Sequence, residues 1–259
     1  MNAELLSRKC LSYYANRILL SIGLLLVLTC STAWGATPAE VLLQTNTLAG
    51  THEVTFCELG LKVKSVRGDY EFVMKPPDWK VVLYNPNKKI YFETTPPLWY
   101  GPLGEGVQST WEDRYKELGV VSNSAGKFQG MKARHIMWVS KIDPMNQRRP
   151  DIQTLASKNR LELLSRSADQ WSTENSPYLK QISIVLNRFY HLPLAPGVPL
   201  SFTYDGFSGT HHEMLYTKRL RTKMCTAADF EPPKGMRPVS RSRDVVFSDA
   251  SNGLLDVLR

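Results

Sequence analysis

Gly206-Phe207-Ser208-Gly209, followed by His211-His212, is the stretch whose residue types come nearest to a catalytic set. A serine between glycines can occupy the strained strand-to-helix turn of a nucleophile elbow, where an imidazole and a carboxylate activate it. The elbow requires a second glycine at position 210, which is Thr210, and a helix after it, of which the sequence shows no sign. A turn inside a hairpin accounts for both glycines. Asp205 and Ser208 are close to the two histidines in sequence, but neighbouring side chains on a strand point to opposite faces. His211 and His212 therefore read as a sheet-edge pair, one of them half-buried, and do not share a task. Cys225 has no context that brings it to His191 or His211 as a nucleophile to a base. The carboxylates are scattered, with no pair placed for acid and base roles. No phosphate-binding glycine loop is present, and the five histidines show no ligand spacing with cysteines or carboxylates. The expectation is a protein that is not an enzyme and holds neither metal nor cofactor.

The chemistry left to the chain is that of an apolar surface. From Asp69 to Tyr100 the sequence holds three alternating runs. Tyr70, Phe72 and Met74 alternate with Glu71, Val73 and Lys75; Trp79, Val81 and Leu83 with Lys80, Val82 and Tyr84; Ile90 and Phe92 with Tyr91 and Glu93. Pro76-Pro77-Asp78 and Asn85-Pro86-Asn87-Lys88 favour chain reversals between them, which gives an antiparallel meander. Phe72, Met74, Trp79, Val81, Leu83, Ile90, Phe92, Ile136, Trp138, Phe202 and Tyr204 supply enough large side chains to line the inside of a curved sheet. Two readings stand: these residues form an ordinary core beneath the helices, or they line a cavity that binds an acyl chain or apolar segment. The second draws on the gain of about 25 cal/mol for each Å² of apolar surface removed from water.

The elements that would position this face follow in chain order. Residues 1–35 read as a secretory signal: Arg8, Lys9 and Arg17, then the apolar run Ile18–Leu28, then small residues with Ala33-Trp34-Gly35 offering cleavage after Gly35. An uncleaved anchor is the alternative; lipid attachment at Cys30 fits poorly, because Thr29 stands where Gly or Ala is wanted. Removing this segment takes three basic residues and Glu4 from totals of 32 and 24, which leaves a basic excess of 6. That excess is spread along the chain as a solvated surface, and it also suits contact with anionic lipid head groups or acidic partners. Export and the lack of a recognition-helix or zinc-finger pattern argue against nucleic acid. Cys57 and Cys225 remain, either as one disulfide between an early and a late strand or as buried thiols.

The rest of the chain reads as one domain, 36–238, with a C-terminal tail, 239–259, whose start is expected to be mobile. Pro38–Leu48 reads as a short helix with Val41, Leu42 and Leu43 on its apolar side. His52–Leu59 and Leu61–Arg67 read as strands. Ser109 and Glu112 resemble a capping box for a second short helix carrying Trp111, Tyr115 and Leu118 over the sheet. Val120–Val121 and Met131–Lys141 read as strand, Asp143–Asp151 as an exposed loop, and Ile152–Trp171 fits helix in one part and strand in another. The clearest helix spans Ser176–Tyr190, with Leu179, Ile182, Val185, Leu186 and Phe189 as its apolar stripe. Leu200–Asp205 and His211–Lys218 form a hairpin in which Phe202, Tyr204, Met214 and Tyr216 face one way.

The meander PPDWKVVLYNPNKKIYFE, the helix SPYLKQISIVLNRFYHLP with the following GVPLSF, and the exit DFEPPKGM together resemble bacterial LolA-like proteins in the order of their elements, over about residues 38–238. The resemblance implies a mainly β (α+β) fold, in which a strongly curved antiparallel sheet forms an incompletely closed barrel with a few helices over its concave face. It also implies a periplasmic or cell-envelope protein that binds a lipid, an acyl chain or a lipidated partner in that face. The alternative is an envelope protein–protein interaction or sensor module whose interior is filled by its own helices.

Overall fold

The computed structural model describes residues 36–142, 164–174 and 176–247. The signal segment, the Asp143–Asp151 loop, the first part of Ile152–Trp171 and the end of the tail lie outside the described residues. The described strands form a single sheet of 12, in the order β12-β6-β5-β4-β3-β2-β1-β11-β10-β9-β8-β7, which curves without closing into a barrel. Two meanders make it up. The first is β1 (Thr37–Asn46), β2 (Gly50–Cys57), β3 (Gly60–Ser65), β4 (Glu71–Met74), β5 (Val81–Asn85) and β6 (Ile90–Thr94). The second is β7 (Leu118–Phe128), β8 (Met131–Ser140), β9 (Ser165–Thr173), β10 (Pro199–Gly206) and β11 (His211–Cys225), and the seam between the two is the long β1–β11 ladder.

The connection from β6 to β7 must travel from near one edge of the sheet to the other. It does so through a 3-10 turn at Pro96–Leu98 and helix α1 (Glu105–Tyr115), whose Tyr115 ring packs edge-on against Phe202 of β10 at 5.5 Å. Helix α2 (Leu179–Phe189) joins β9 to β10. After β11, a 3-10 turn at Ala227–Phe230 leads to β12 (Arg237–Pro238), parallel to β6, and to the short helix α3 (Ser242–Val246). Asn46 and Asn85 shape the turns after β1 and β5: each side-chain oxygen accepts two backbone N–H groups, from Leu48 and Ala49 and from Asn87 and Lys88.

Five local expectations are corrected. Pro38–Leu48 is strand, not helix: Thr37–Asn46 is laddered on both sides, to β2 and to β11. Trp79 lies outside the alternation of β5; it has φ 53° and precedes the first strand residue, Val81. Helix α1 begins at Glu105, with Gly104 at φ 88° as its N-cap residue, so Ser109 lies inside the helix and does not start it. Tyr216 faces outward, because a register shift between Phe202 and Thr203 in the β10–β11 ladder reverses the alternation and leaves Leu215 and Thr217 buried in its place. The start of the tail is docked: the Val239 N–H donates to the Tyr91 carbonyl at 2.8 Å, and Val245 is fully buried.

Candidate functional site

The concave face of the sheet is occupied by α2. Its sequence is amphipathic, yet Leu179, Ile182, Ser183, Val185, Leu186, Asn187 and Phe189 are all buried. The Phe189 ring packs against Phe72 of β4 at 5.1 Å and against His52 of β2 at 4.8 Å. Trp99, on the connection that crosses the sheet, donates its indole N–H to the Val185 carbonyl at 3.2 Å. On the other side, Gln170 of β9 donates to Asn187 Oδ1 at 3.3 Å, and Asn187 donates onward to the Ala195 carbonyl at 3.0 Å. The helix thus touches both meanders. Its large apolar side chains, at about 1.5–3 kcal/mol each on full burial, hold it there.

Of the eleven residues proposed from sequence as lining, Phe72, Met74, Val81, Leu83, Ile136, Trp138, Phe202 and Tyr204 are buried in one core with α2, and Trp79 and Phe92 are partly buried against it. Ile90 is buried too but stands outside that core, beside Arg237 of β12. Sequence patterning therefore brought ten of the eleven together, and their neighbours in the fold are the chain's own helices.

The interior also holds polar residues that the apolar pattern did not reveal. Gln44 Nε2 donates to the Pro199 carbonyl at 2.7 Å and to Thr217 Oγ1 at 3.0 Å, and Asn46 Nδ2 donates to the Tyr190 carbonyl at 3.2 Å. His52 Nε2 is hydrogen-bonded to the Tyr70 hydroxyl at 2.9 Å, and His191 Nδ1 to Gln108 Oε1 at 3.0 Å, while His191 Nε2 has no partner among the described residues. Burial lowers both histidines to about 4, so each is a neutral imidazole at pH 7. The one available signal was spacing: Gln44 and Asn46 are two apart on a strand, as inward-facing residues must be.

The residues considered for hydrolysis are arranged differently. Asp205 lies between Ser167, whose hydroxyl donates to Oδ2 at 2.8 Å, and His211, whose Nδ1 is 2.8 Å from Oδ1. The His211 hydrogen bond is the main cause of the lowered Asp205 pKa. Ser208 instead pairs with Thr210 in the turn at 3.0 Å. His212, half-buried, stacks on the Tyr204 ring at 4.6 Å, and at the two histidines β11 is laddered to β10 alone, since its pairing with β1 begins at Leu215; they form the expected pair at a sheet edge, at the end of a hairpin. An aspartate between serine and histidine does not place the imidazole to take the hydroxyl proton. Cys57 and Cys225 are free buried thiols, both raised in pKa chiefly by burial. Among the described residues no group of three or more His, Cys, Asp or Glu could hold a metal ion, and no helix is long and apolar enough to cross a membrane.

Two open clefts adjoin this packed interior. The first, about 650 Å³, runs between the outward side of α2 and the segment after it; Pro177, Lys180, Ile184, Leu194, Ala195 and Pro196 are among its lining residues. Leu194 is 59% exposed there. Gly197, at φ +84°, lets this segment return close to β9: a Cβ on it would stand 2.3 Å from the Thr173 carbonyl oxygen. The second cleft, about 570 Å³, lies between Phe92–Gly104 and Ser240–Arg243. Neither was visible in the sequence, since each is closed by segments whose meeting depends on the finished fold.

No family model matches the chain, and no curated protein matches it significantly. Among solved structures it is similar to an uncharacterized conserved protein from Thermus thermophilus, with 11% identity, a TM-score of 0.32, and coverage of 80% of this chain and 91% of the other. It is also similar to a putative outer membrane lipoprotein-sorting protein domain from Vibrio parahaemolyticus, with 13% identity, a TM-score of 0.17, and coverage of 74% and 87%. Scores this low assign neither a family nor an activity.

Proposed function

We propose that this chain is an exported, non-enzymatic binding protein of the cell envelope that takes an acyl chain or a lipidated partner against α2. The observation that carries the reading is the open groove of about 650 Å³ along α2, with Ile184, Leu194, Ala195 and Pro196 along its walls and Lys180 at its rim. That volume is within the range of small-molecule sites, and its lining combines apolar walls with a single cation, as an amphiphile requires. Ten of the eleven residues expected to line the concave face pack in one core with α2, and an acyl chain reaching them would have to displace the helix.

Delipidated protein titrated with a fluorescent fatty acid tests this. Saturable binding that weakens at least about tenfold in Leu194→Asp and Ile184→Asp is expected, as burying a carboxylate beside the chain costs more than one decade. Absence of saturable binding by the native protein would sink the proposal. The packed interior favours a second reading, an envelope interaction or sensor module with no lipid ligand. Under that reading the probe does not bind, and Leu194→Asp instead weakens association with another envelope protein.

A further inference from the structure

The second cleft is built by a strap. Residues Arg237–Phe247 run back over β6 and β5, fixed by the Arg237 and Val239 N–H groups, which donate to the Lys89 and Tyr91 carbonyls at 2.9 and 2.8 Å. Asn85 Nδ2 donates to the Val245 carbonyl at 3.2 Å, and the Val245 side chain is fully buried. The strap carries Arg241 and Arg243 to one wall of the cleft. On the facing side Trp99 is fully buried and anchored to α2, and Gly101, at φ +77°, passes so close to α2 that a Cβ would stand 3.2 Å from the Arg188 carbonyl oxygen. The cleft thus has two walls held in place by the fold.

Its lining includes arginines and leucines beside serines and aromatic rings. Arg241 and Arg243 are the charged residues of the lining, and neither makes an ion pair among the described residues; Asp244, within α3, does not line the cleft. A guanidinium is always charged, and its fork of donors matches the oxygens of a phosphate. Beside the arginines, Leu98 is 62% exposed and Leu103 half-buried, both on the opposite wall. Two guanidinium groups without an ion pair opposite one exposed and one half-buried leucine suit a ligand that is anionic at one end and apolar at the other.

We propose that this cleft binds the phosphate group of an anionic membrane phospholipid, one whose head group carries no compensating cation, with Arg241 and Arg243 on the phosphate and Leu98 and Leu103 against the adjoining acyl region. The site uses different side chains from the α2 groove and places the protein on an anionic membrane surface. It stands whether or not the groove takes an acyl chain.

Flotation of the full chain with phosphatidylcholine vesicles, with and without phosphatidylglycerol, tests it. The ratio of the two affinities removes any contribution from the apolar run Ile18–Leu28. R241A/R243A is expected to lower that ratio by about 25-fold, from roughly fivefold for each basic residue at an anionic surface. K127A/K132A removes the same charge from the β7–β8 hairpin and is expected to change the ratio less than about twofold, each variant keeping the native melting temperature. An equal loss in both double variants, or no loss in R241A/R243A, overturns the proposal. Inorganic phosphate is the second probe: if it saturates the arginine site while the vesicles show no preference for phosphatidylglycerol, the ligand is a soluble phosphate and the phospholipid assignment is wrong. Failure of the fatty-acid titration leaves these readings untouched.

Discussion

The Tyr190 hydroxyl donates to Gln44 Oε1 at 3.0 Å, joining the end of α2 to the strand at the seam of the two meanders. Both residues are fully buried. The Gln44 amide is satisfied on both sides, since its nitrogen already serves Pro199 and Thr217. The helix that fills the sheet is therefore held by directional bonds as well as by apolar area, and those bonds set its position along the strands.

Tyr190→Phe removes the donor and leaves Gln44 Oε1 buried without one. The expected loss is about 1–3 kcal/mol of unfolding free energy, read as a lower midpoint in urea at unchanged slope. An unchanged midpoint would show that the bond contributes nothing in solution.

Stability should also fall with acid in a defined window. His52 and His191 have pKa values lowered from 6.5 to about 4 in the fold, so between those values the unfolded chain binds more protons than the native one. Stability is then fully present above about pH 6.5 and is lost as pH falls toward about 4, by about 3 kcal/mol for each histidine. Urea melts from about pH 7.5 down to about 4.5 should show this slope, and His52→Gln should remove roughly half of it. A slope unchanged in that variant would assign the titration to other groups.

Much of the sheet was legible because its inner face is apolar. Phe72, Met74, Val81, Leu83, Ile136 and Trp138 recur at every second position of their runs, and each is buried in the fold, although Val73 and Tyr84 on the alternate positions are buried as well. β1 was misread for the opposite reason. Its inward positions include Gln44 and Asn46, whose partners Tyr190, Pro199 and Thr217 lie more than 140 positions away, so hydrophobic periodicity could not find them. What remained visible was the run Val41-Leu42-Leu43, which fits a helix as well as a strand. Tyr216 was lost to a bulge, which changes side-chain parity without leaving a mark in composition. Both clefts depend on approaches between distant segments. The arginines of the strap look like part of a basic tail until Val245 is seen to anchor it.

The two thiols should remain unpaired even under oxidising conditions. Cys57 is on β2 and Cys225 on β11, with β1 between them, and Cys225 lies opposite Thr37 of that middle strand. Two strand spacings place the Cα atoms at least about 9 Å apart, beyond the ~7 Å that a disulfide spans. In protein lacking residues 1–35, both thiols should resist Ellman's reagent in the native state and react together in denaturant. A value near zero after unfolding without reductant would show that they are bridged.

Among the described strands the sheet has two ends, one at β12 and one at β7, and the elements bridging its interior are side chains and short connections. In a closed barrel, strand number and stagger fix the bore. Here no ladder hydrogen bond spans the gap, so the width of the interior is a property of what fills it. The contacts of α2 with Phe72 and His52 on one arm, through Phe189, and with Gln170 on the other, through Asn187, make the helix a spacer, and a larger or smaller filling would reset the distance between the two arms without unzipping a single pair of strands.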